Sequence, residues 1–144
     1  MKKLISVLLA IVIIALASPL CYAAVYESYS YEVNSDNSIT ITSFNSFHIS
    51  DVTVPDSIDG KPVTAIGDNA FKGKSSLKTV KIPDSVVSIG SYAFYSCKKL
   101  TSVTLGSNVK TLGISCFNLC EALTGISLKN VESIGEFAFY GCEK

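Results

Sequence analysis

The chain has 144 residues, with 12 lysines, no arginine, 12 acidic residues and a formal net charge of zero. That balance excludes the basic footprint of a nucleic-acid binder. A single histidine, His48, excludes any site built from several imidazoles. Charged residues make up 17%, below the roughly 25% usual in globular chains.

Lys2 and Lys3 precede the uncharged, almost wholly apolar stretch from Leu4 to Ala17, and Ser18-Pro19-Leu20-Cys21-Tyr22-Ala23 follows. A basic start, a short apolar core and small residues before a cut define a secretory signal. Pro19 suits cleavage better than a spanning helix, which needs about 20 apolar residues. Small residues at Cys21 and Ala23 place the cut after Ala23. Leu20 before Cys21 fits a lipoprotein signal poorly. Removing Lys2 and Lys3 leaves ten lysines against twelve acids, a net charge of −2. The mature protein is therefore expected to be secreted or displayed at the cell surface.

Residues 24–50 follow as a lead-in. Tyr29 to Val33 and Ile39 to Thr42 alternate across the polar turn Asn34 to Asn37, as the arms of a hairpin do.

From residue 51 the chain is periodic. Ile66-Gly67 recurs as Ile89-Gly90, Leu112-Gly113 and Ile134-Gly135, at spacings of 23, 23 and 22. Phe71, Phe94, Phe117 and Phe139 keep the same spacings, and Leu77, Leu100 and Leu123 repeat at 23. The pairs Val80/Ile82, Val103/Leu105 and Ile126/Leu128 form short alternating strands, each with one buried face. Val52/Val54 opens the series, set back by the turn-rich insertion Asp59 to Val63. Pro55 and Pro83 end strands, the Gly after Ile permits a bend or a positive φ, and Ser91 to Tyr95 has room for one helical or 3₁₀ turn. No single unit buries its own apolar face; stacked units do, and they need caps.

These units closely resemble the BspA-like (treponemal-type) leucine-rich repeat of bacterial surface proteins. The clearest copy is LKTVKIPDSVVSIGSYAFYS, Leu77 to Ser96, continued by Cys97. The resemblance covers residues 51–144, with the last repeat incomplete, and implies an α/β, right-handed solenoid of short parallel strands. The lead-in looks like the family's N-terminal cap, a β-hairpin over the open end of the first repeat.

Cys97, Cys120 and Cys142 share one repeat position, and the family uses Cys there as a small buried residue, so a free, buried ladder is expected. Cys116 and Cys120, four apart and without a nearby His, do not make a zinc site. A Cys nucleophile would need His48, which sits in the lead-in beside Phe47 and Ile49. Asp56 and Asp84 follow prolines at one repeat position and read as turn residues rather than an acid–base pair. No catalytic residue, cofactor or metal ligand is assigned. Tyr92, Tyr95 and Tyr140 flank the Phe ladder as exposed candidates. Lys72, Lys74, Lys78, Lys81, Lys98 and Lys99 form a loose basic zone, a solvated face or a dock for an acidic partner.

Strands of such repeats present a binding face. Its outward positions here are Asp51, Thr53, Thr79, Lys81, Ser102, Thr104, Gly125 and Ser127. They are small and polar and lack the aromatic or Arg anchors of strong interfaces. The resemblance implies a non-catalytic adhesion module for a host-matrix or neighbouring-cell protein. The alternative is a spacer or attachment array of a larger exported protein. The last rung, with no cap after it, is expected to fray or self-associate.

Overall fold

The structure, a computed structural model, describes residues 23–26 and 28–143, the first four by their backbone. The leader assigned to residues 1–23 lies outside the described residues except for Ala23. The chain folds as a β-solenoid in which each turn of about 23 residues contributes one strand to each of two parallel sheets and closes through an arc of turns.

The first sheet joins β4 (Asp51–Thr53), β7 (Thr79–Lys81), β9 (Ser102–Thr104) and β11 (Gly125–Ile126). Their register aligns Asp51, Thr79, Ser102 and Gly125 in one column and Val52, Val80, Val103 and Ile126 in the next. The second sheet runs through β6 (Lys61–Ile66), β8 (Ser88–Ile89), β10 (Thr111–Leu112) and β12 (Ser133–Ile134). Its two-residue strands are too short to show alternation in the sequence, where they read only as the approach to a bend.

The lead-in extends the second sheet. β1 (Ala23–Tyr26) and β2 (Tyr29–Val33) pair antiparallel, as do β2 and β3 (Ile39–Phe44), and β3 lies parallel to β6. β3 thus works as an additional rung. Gly67 N–H donates to the Ile41 carbonyl, just as Gly90 donates to Ile66, Gly113 to Ile89 and Gly135 to Leu112. Tyr29, Tyr31, Ile39, Ile41 and Phe44 join the core and cover the first repeat. The insertion forms a tight hairpin of β5 (Ser57–Ile58) with β6. Its turn residues, Asp59 at φ 51° and Gly60 at φ 72°, meet the two positive φ values of a type I′ turn.

The solenoid of short parallel strands is as expected; among the described residues there is no helix, and the segment with room for one helical or 3₁₀ turn is occupied by consecutive turns. The reason lies in the arc. Asn69, Tyr92, Ser115 and Phe137 have φ of 52–59°, and four residues later Gly73, Ser96, Leu119 and Gly141 are again positive. A left-handed residue every fourth position prevents a right-handed helix from propagating. The arc becomes consecutive turns, with i→i−3 bonds such as Tyr95 to Tyr92, Cys97 to Phe94 and Leu100 to Cys97.

The N–H groups that these turns leave over serve the next rung. Tyr92, Phe94 and Ser96 donate to Ile114, Cys116 and Asn118 at 2.8, 2.7 and 2.8 Å. Their counterparts Ser115, Phe117 and Leu119 donate to Glu136, Ala138 and Tyr140 at 2.9, 2.8 and 2.8 Å. Peptide planes such as Ala93–Phe94 therefore all point the same way, N–H toward the last rung and C=O toward the cap. Phe44 N–H begins the series on Ala70 at 2.8 Å.

Inside the arc the Phe rings stack in the same order. Phe44–Phe71, Phe71–Phe94, Phe94–Phe117 and Phe117–Phe139 have centroids 5.1, 4.8, 5.2 and 5.5 Å apart and interplanar angles of 25°, 14°, 6° and 11°. The inward set Val80, Ile82, Ile89, Ala93, Phe94, Cys97 and Leu100 is buried throughout. Burial declines at the last rung, where Ile126, Leu128, Phe139 and Cys142 are only partly covered.

The glycine after each Ile turns out to serve close approach rather than a positive φ. A Cβ at Gly113 would meet the backbone of Gly90 and Ser91 at 2.5 Å, so only a bare Cα lets the rungs touch there.

Phe94→Ala removes a ring with zero exposure, stacked on both sides. It is expected to lower stability by about 3–5 kcal/mol. Denaturant titration checks this, and a loss below about 1 kcal/mol would contradict the inward register.

Candidate functional site

The register of the first sheet carries the outward strand residues into two columns. Asp51, Thr79, Ser102 and Gly125 form one, and Thr53, Lys81 and Thr104 the other, with Ser127 just beyond β11. Ser102 and Gly125 are half-buried and the rest exposed. The face is a polar strip one side chain deep, because neighbouring rungs lie only about 4.8 Å apart.

Its charges are sparse. The Thr79 hydroxyl donates to Asp51 Oδ1 at 2.5 Å and the Ser50 hydroxyl to Asp51 Oδ2 at 2.5 Å. The Ser50 and then the Thr79 bond hold the exposed Asp51 carboxyl below the usual carboxylate range. Lys81 is the face's cation. An open groove of about 450 Å³ runs along the strand ends, lined by Lys81, Thr104, Asp56, Asp84 and Gly106 among others. Ser85 Oγ, on its wall, is the one buried side-chain oxygen among the described residues without a hydrogen-bond partner.

Asp84 acts on the backbone. Its Oδ1 accepts the Ser107 N–H at 2.6 Å, and that bond lowers its pKa. Asp68 Oδ1 accepts the Ser91 N–H at 2.7 Å. Asp56 Oδ1 accepts from the Ser57 hydroxyl at 3.0 Å. Asp84 and Asp68 thus tie neighbouring turns together, and Asp56 bonds within its own turn.

The cysteines form the expected column. The Sγ–H groups of Cys97, Cys120 and Cys142 donate to the carbonyls of Phe71, Phe94 and Phe117 at 3.1, 3.1 and 3.3 Å. All four cysteines from Cys97 onward are free; Cys97, Cys116 and Cys120 are buried and Cys142 is partly exposed. Burial pushes the Cys97 thiol up to about 11 and the Cys116 thiol up to about 12, and drives Cys120 upward as well. Such thiols are poor nucleophiles. His48 is exposed in the loop between β3 and β4.

The lysine zone is divided in its partners. Lys98 pairs with Glu121 at 2.8 Å across two rungs. Lys72 lies 5.7 and 5.4 Å from the ring centroids of Tyr92 and Tyr95, and Lys74 lies 4.1 Å from that of Phe47. Tyr92 and Tyr140 are exposed on the arc and Tyr95 is half-buried. Phe137 is an exposed aromatic there that the repeat pattern does not mark, since its equivalents are Asn69, Tyr92 and Ser115.

The sequence profile described as BspA type leucine rich repeat region matches residues 37–144 in six copies. A leucine-rich cell surface protein of Faecalibacterium prausnitzii superposes with a TM-score of 0.79 at 37% identity, over 89% of this chain and 36% of its own. A leucine-rich repeat protein of Bacteroides capillosus gives a TM-score of 0.72 at 30% identity, over 78% of this chain and 86% of its own. The Treponema pallidum leucine-rich repeat protein gives 0.73 at 26%, over 85% and 69%. No curated protein matches the sequence. The chain thus spans about a third of the Faecalibacterium chain. The match begins at residue 37, so it takes in β3, the strand that behaves as a rung.

A thiol reagent at pH 8 should modify Cys142 first and leave Cys97, Cys116 and Cys120 unreactive until the chain unfolds. The raised thiol values also fix the sign of an alkaline effect. Thiols of the unfolded chain ionise near pH 8.5, whereas the native ones stay protonated to about 11 and 12. The native state then binds more protons, and stability falls as pH rises from about 8.5. Urea midpoints measured from pH 7 to 10.5 check this; a flat profile would contradict it.

Proposed function

The chain belongs to the BspA-type leucine-rich repeat family, and we propose that it acts outside the cytoplasm as a non-catalytic module that binds another protein through the outward face of its first sheet. The observation that carries this reading is the double column of exposed, small, polar side chains held in fixed register by parallel strands. The Faecalibacterium neighbour is a cell surface protein, which supports an extracytoplasmic place. The leader-like residues 1–23 support secretion with a cut after Ala23.

The partner is a host-matrix or neighbouring-cell surface protein. Four strands cover about 15–20 Å, less than a standard interface takes from one partner. A single face of this size binds weakly and gains strength from multiplicity. Partly covered apolar groups on the last rung, with Ile134 exposed, support self-association through residues 125–142. A second reading, an attachment or spacer array of a larger protein, is favoured by the share of the Faecalibacterium chain that is matched.

Surface plasmon resonance against solubilised extracellular-matrix protein and against surface extracts of neighbouring bacteria tests the binding. Thr53→Arg combined with Thr104→Arg should weaken it by about tenfold or more, or 1.4 kcal/mol, with the melting temperature unchanged. Retention of full binding would move the site off this face. Export is checked separately: the secreted protein should begin at Ala24 on N-terminal sequencing, and a lipid-bearing start at Cys21 would replace that cut.

A further inference from the structure

Four large side chains stand exposed together on the arc of turns: Tyr92 at 39%, Ile114 at 46%, Phe137 at 63% and Tyr140 at 66%. The backbone makes them neighbours. Tyr92 N–H donates to the Ile114 carbonyl at 2.8 Å, and Ser115 N–H to that of Glu136, the residue before Phe137, at 2.9 Å. Phe137 in turn meets Tyr140 edge to face at 6.2 Å. With about 150–250 Å² for each aromatic side chain, the four expose on the order of 400 Å². A contiguous patch of that size marks a contact surface.

The charges beside it are of opposite sign at its two ends. Lys72, at the cap end, lies 5.7 and 5.4 Å from the centroids of Tyr92 and Tyr95. Glu136 stands at the other end, beside Phe137. Both are exposed. The ion pairs among the described residues are Lys98 with Glu121 and Lys110 with Glu132, so Lys72 and Glu136 are free to take charged partners. A surface of this kind complements a second copy of itself turned by 180° about the surface normal. In such a contact every pair of residues occurs twice.

The charges fix the register. Lys72 belongs to the rung of Phe71 and Glu136 to that of Phe139. Setting one against the other brings the first of these four rungs to the fourth and the second to the third. The half-turn also exchanges the two flanks of the arc, so a residue one place after its ladder Phe meets a residue three places before one. Four pairs result: Lys72 with Glu136, Tyr95 with Ile114, Asn118 with Ser91, and Tyr140 with Asp68. Each is chemically matched, ion with ion, apolar with apolar, and donor with acceptor. Asp68 engages Ser91 N–H through Oδ1, which leaves Oδ2 for the tyrosine hydroxyl. A shift of one rung would set Asn118 on Ile114 and take Lys72 off Glu136.

We propose that the chain forms an antiparallel, two-fold dimer through this arc, with Lys72 of each copy paired to Glu136 of the other. None of these residues lies on the first sheet, so the dimer leaves the strand face open and is independent of what that face binds. It also differs from association through the end of the last rung, since Ile134 takes no part. The patch and its rim come to roughly 1,000 Å² over both copies, the low end for a specific interface, which fits a dissociation constant on the order of 100 µM.

Sedimentation velocity of the purified protein from about 5 µM to about 1 mM tests it, spanning that constant. Lys72→Glu and Glu136→Lys should each weaken the dimer by about tenfold or more, because each sets like charges together at two symmetric places. The double reversal should return the parent's affinity. Ile134→Lys, at the end of the last rung, and Thr104→Arg, on the strand face, should leave dimerisation unchanged. Circular dichroism melts at low concentration show that a variant keeps its fold. Small-angle scattering of the parent at high concentration needs no variant and should report a side-by-side particle rather than an end-to-end one. The proposal is overturned if the parent stays monomeric at about 1 mM, if the double reversal fails to recover the dimer, if Ile134→Lys abolishes it, or if the scattering particle is end to end.

Discussion

A single run of hydrogen bonds carries the solenoid. Phe44 donates to Ala70, Phe71 to Ala93, Phe94 to Cys116 and Phe117 to Ala138, all at 2.7–2.8 Å. Peptide planes joined in series polarise one another, and here each bond links neighbouring rungs rather than neighbouring turns of a helix. The Phe rings stack alongside in the same order. Backbone satisfaction and ring packing therefore demand one and the same register. A slip of one residue would break both at once, which is why short strands of two or three residues suffice elsewhere in the rung.

That spine explains several costs the chain accepts. Bulky residues with positive φ, Tyr92, Leu119 and Phe137, sit in a region that L-residues enter at a penalty of about 1–2 kcal/mol. At Tyr92 and Leu119 that conformation aims alternate N–H groups at the next rung. The glycine column removes the side chains that would wedge the rungs apart. Cys97 and Cys120 are small enough to pack under the arc and still donate to a carbonyl of the preceding rung. Surface ion pairs such as Lys110 with Glu132 at 2.8 Å add little by comparison.

Periodicity made the ladder positions legible: Phe71, Phe94 and Phe117, the inward Val and Ile pairs, and the Cys column all follow from a spacing of 23. The backbone of the arc did not follow. Ser91 to Tyr95 has the length of a helical turn, and nothing in the side chains of Tyr92 or Phe137 announces a left-handed backbone as Asn or Gly would. Phe44 escaped because the insertion at residues 59–63 breaks the period before it, so its place in the stack shows only in three dimensions. The second sheet escaped because Ser88–Ile89 and Thr111–Leu112 are too short to alternate. On the strand face, the columns from Asp51 to Gly125 and from Thr53 to Thr104 were readable, since alternation sets which side chains point out.

The common orientation of the arc peptides has an electrostatic consequence. Each aligned plane contributes about 3.5 D, so the stack carries a dipole along its own axis, lying across the chain direction rather than along it. Its negative pole is at the cap, where Phe44 N–H meets the Ala70 carbonyl. Its positive pole is at Phe137, Phe139 and Gly141, whose N–H groups find no acceptor among the described residues. Two such poles brought together by two-fold symmetry would set donor against donor. Whatever lies against this edge must bring carbonyls to it, so the stack extends in one direction only.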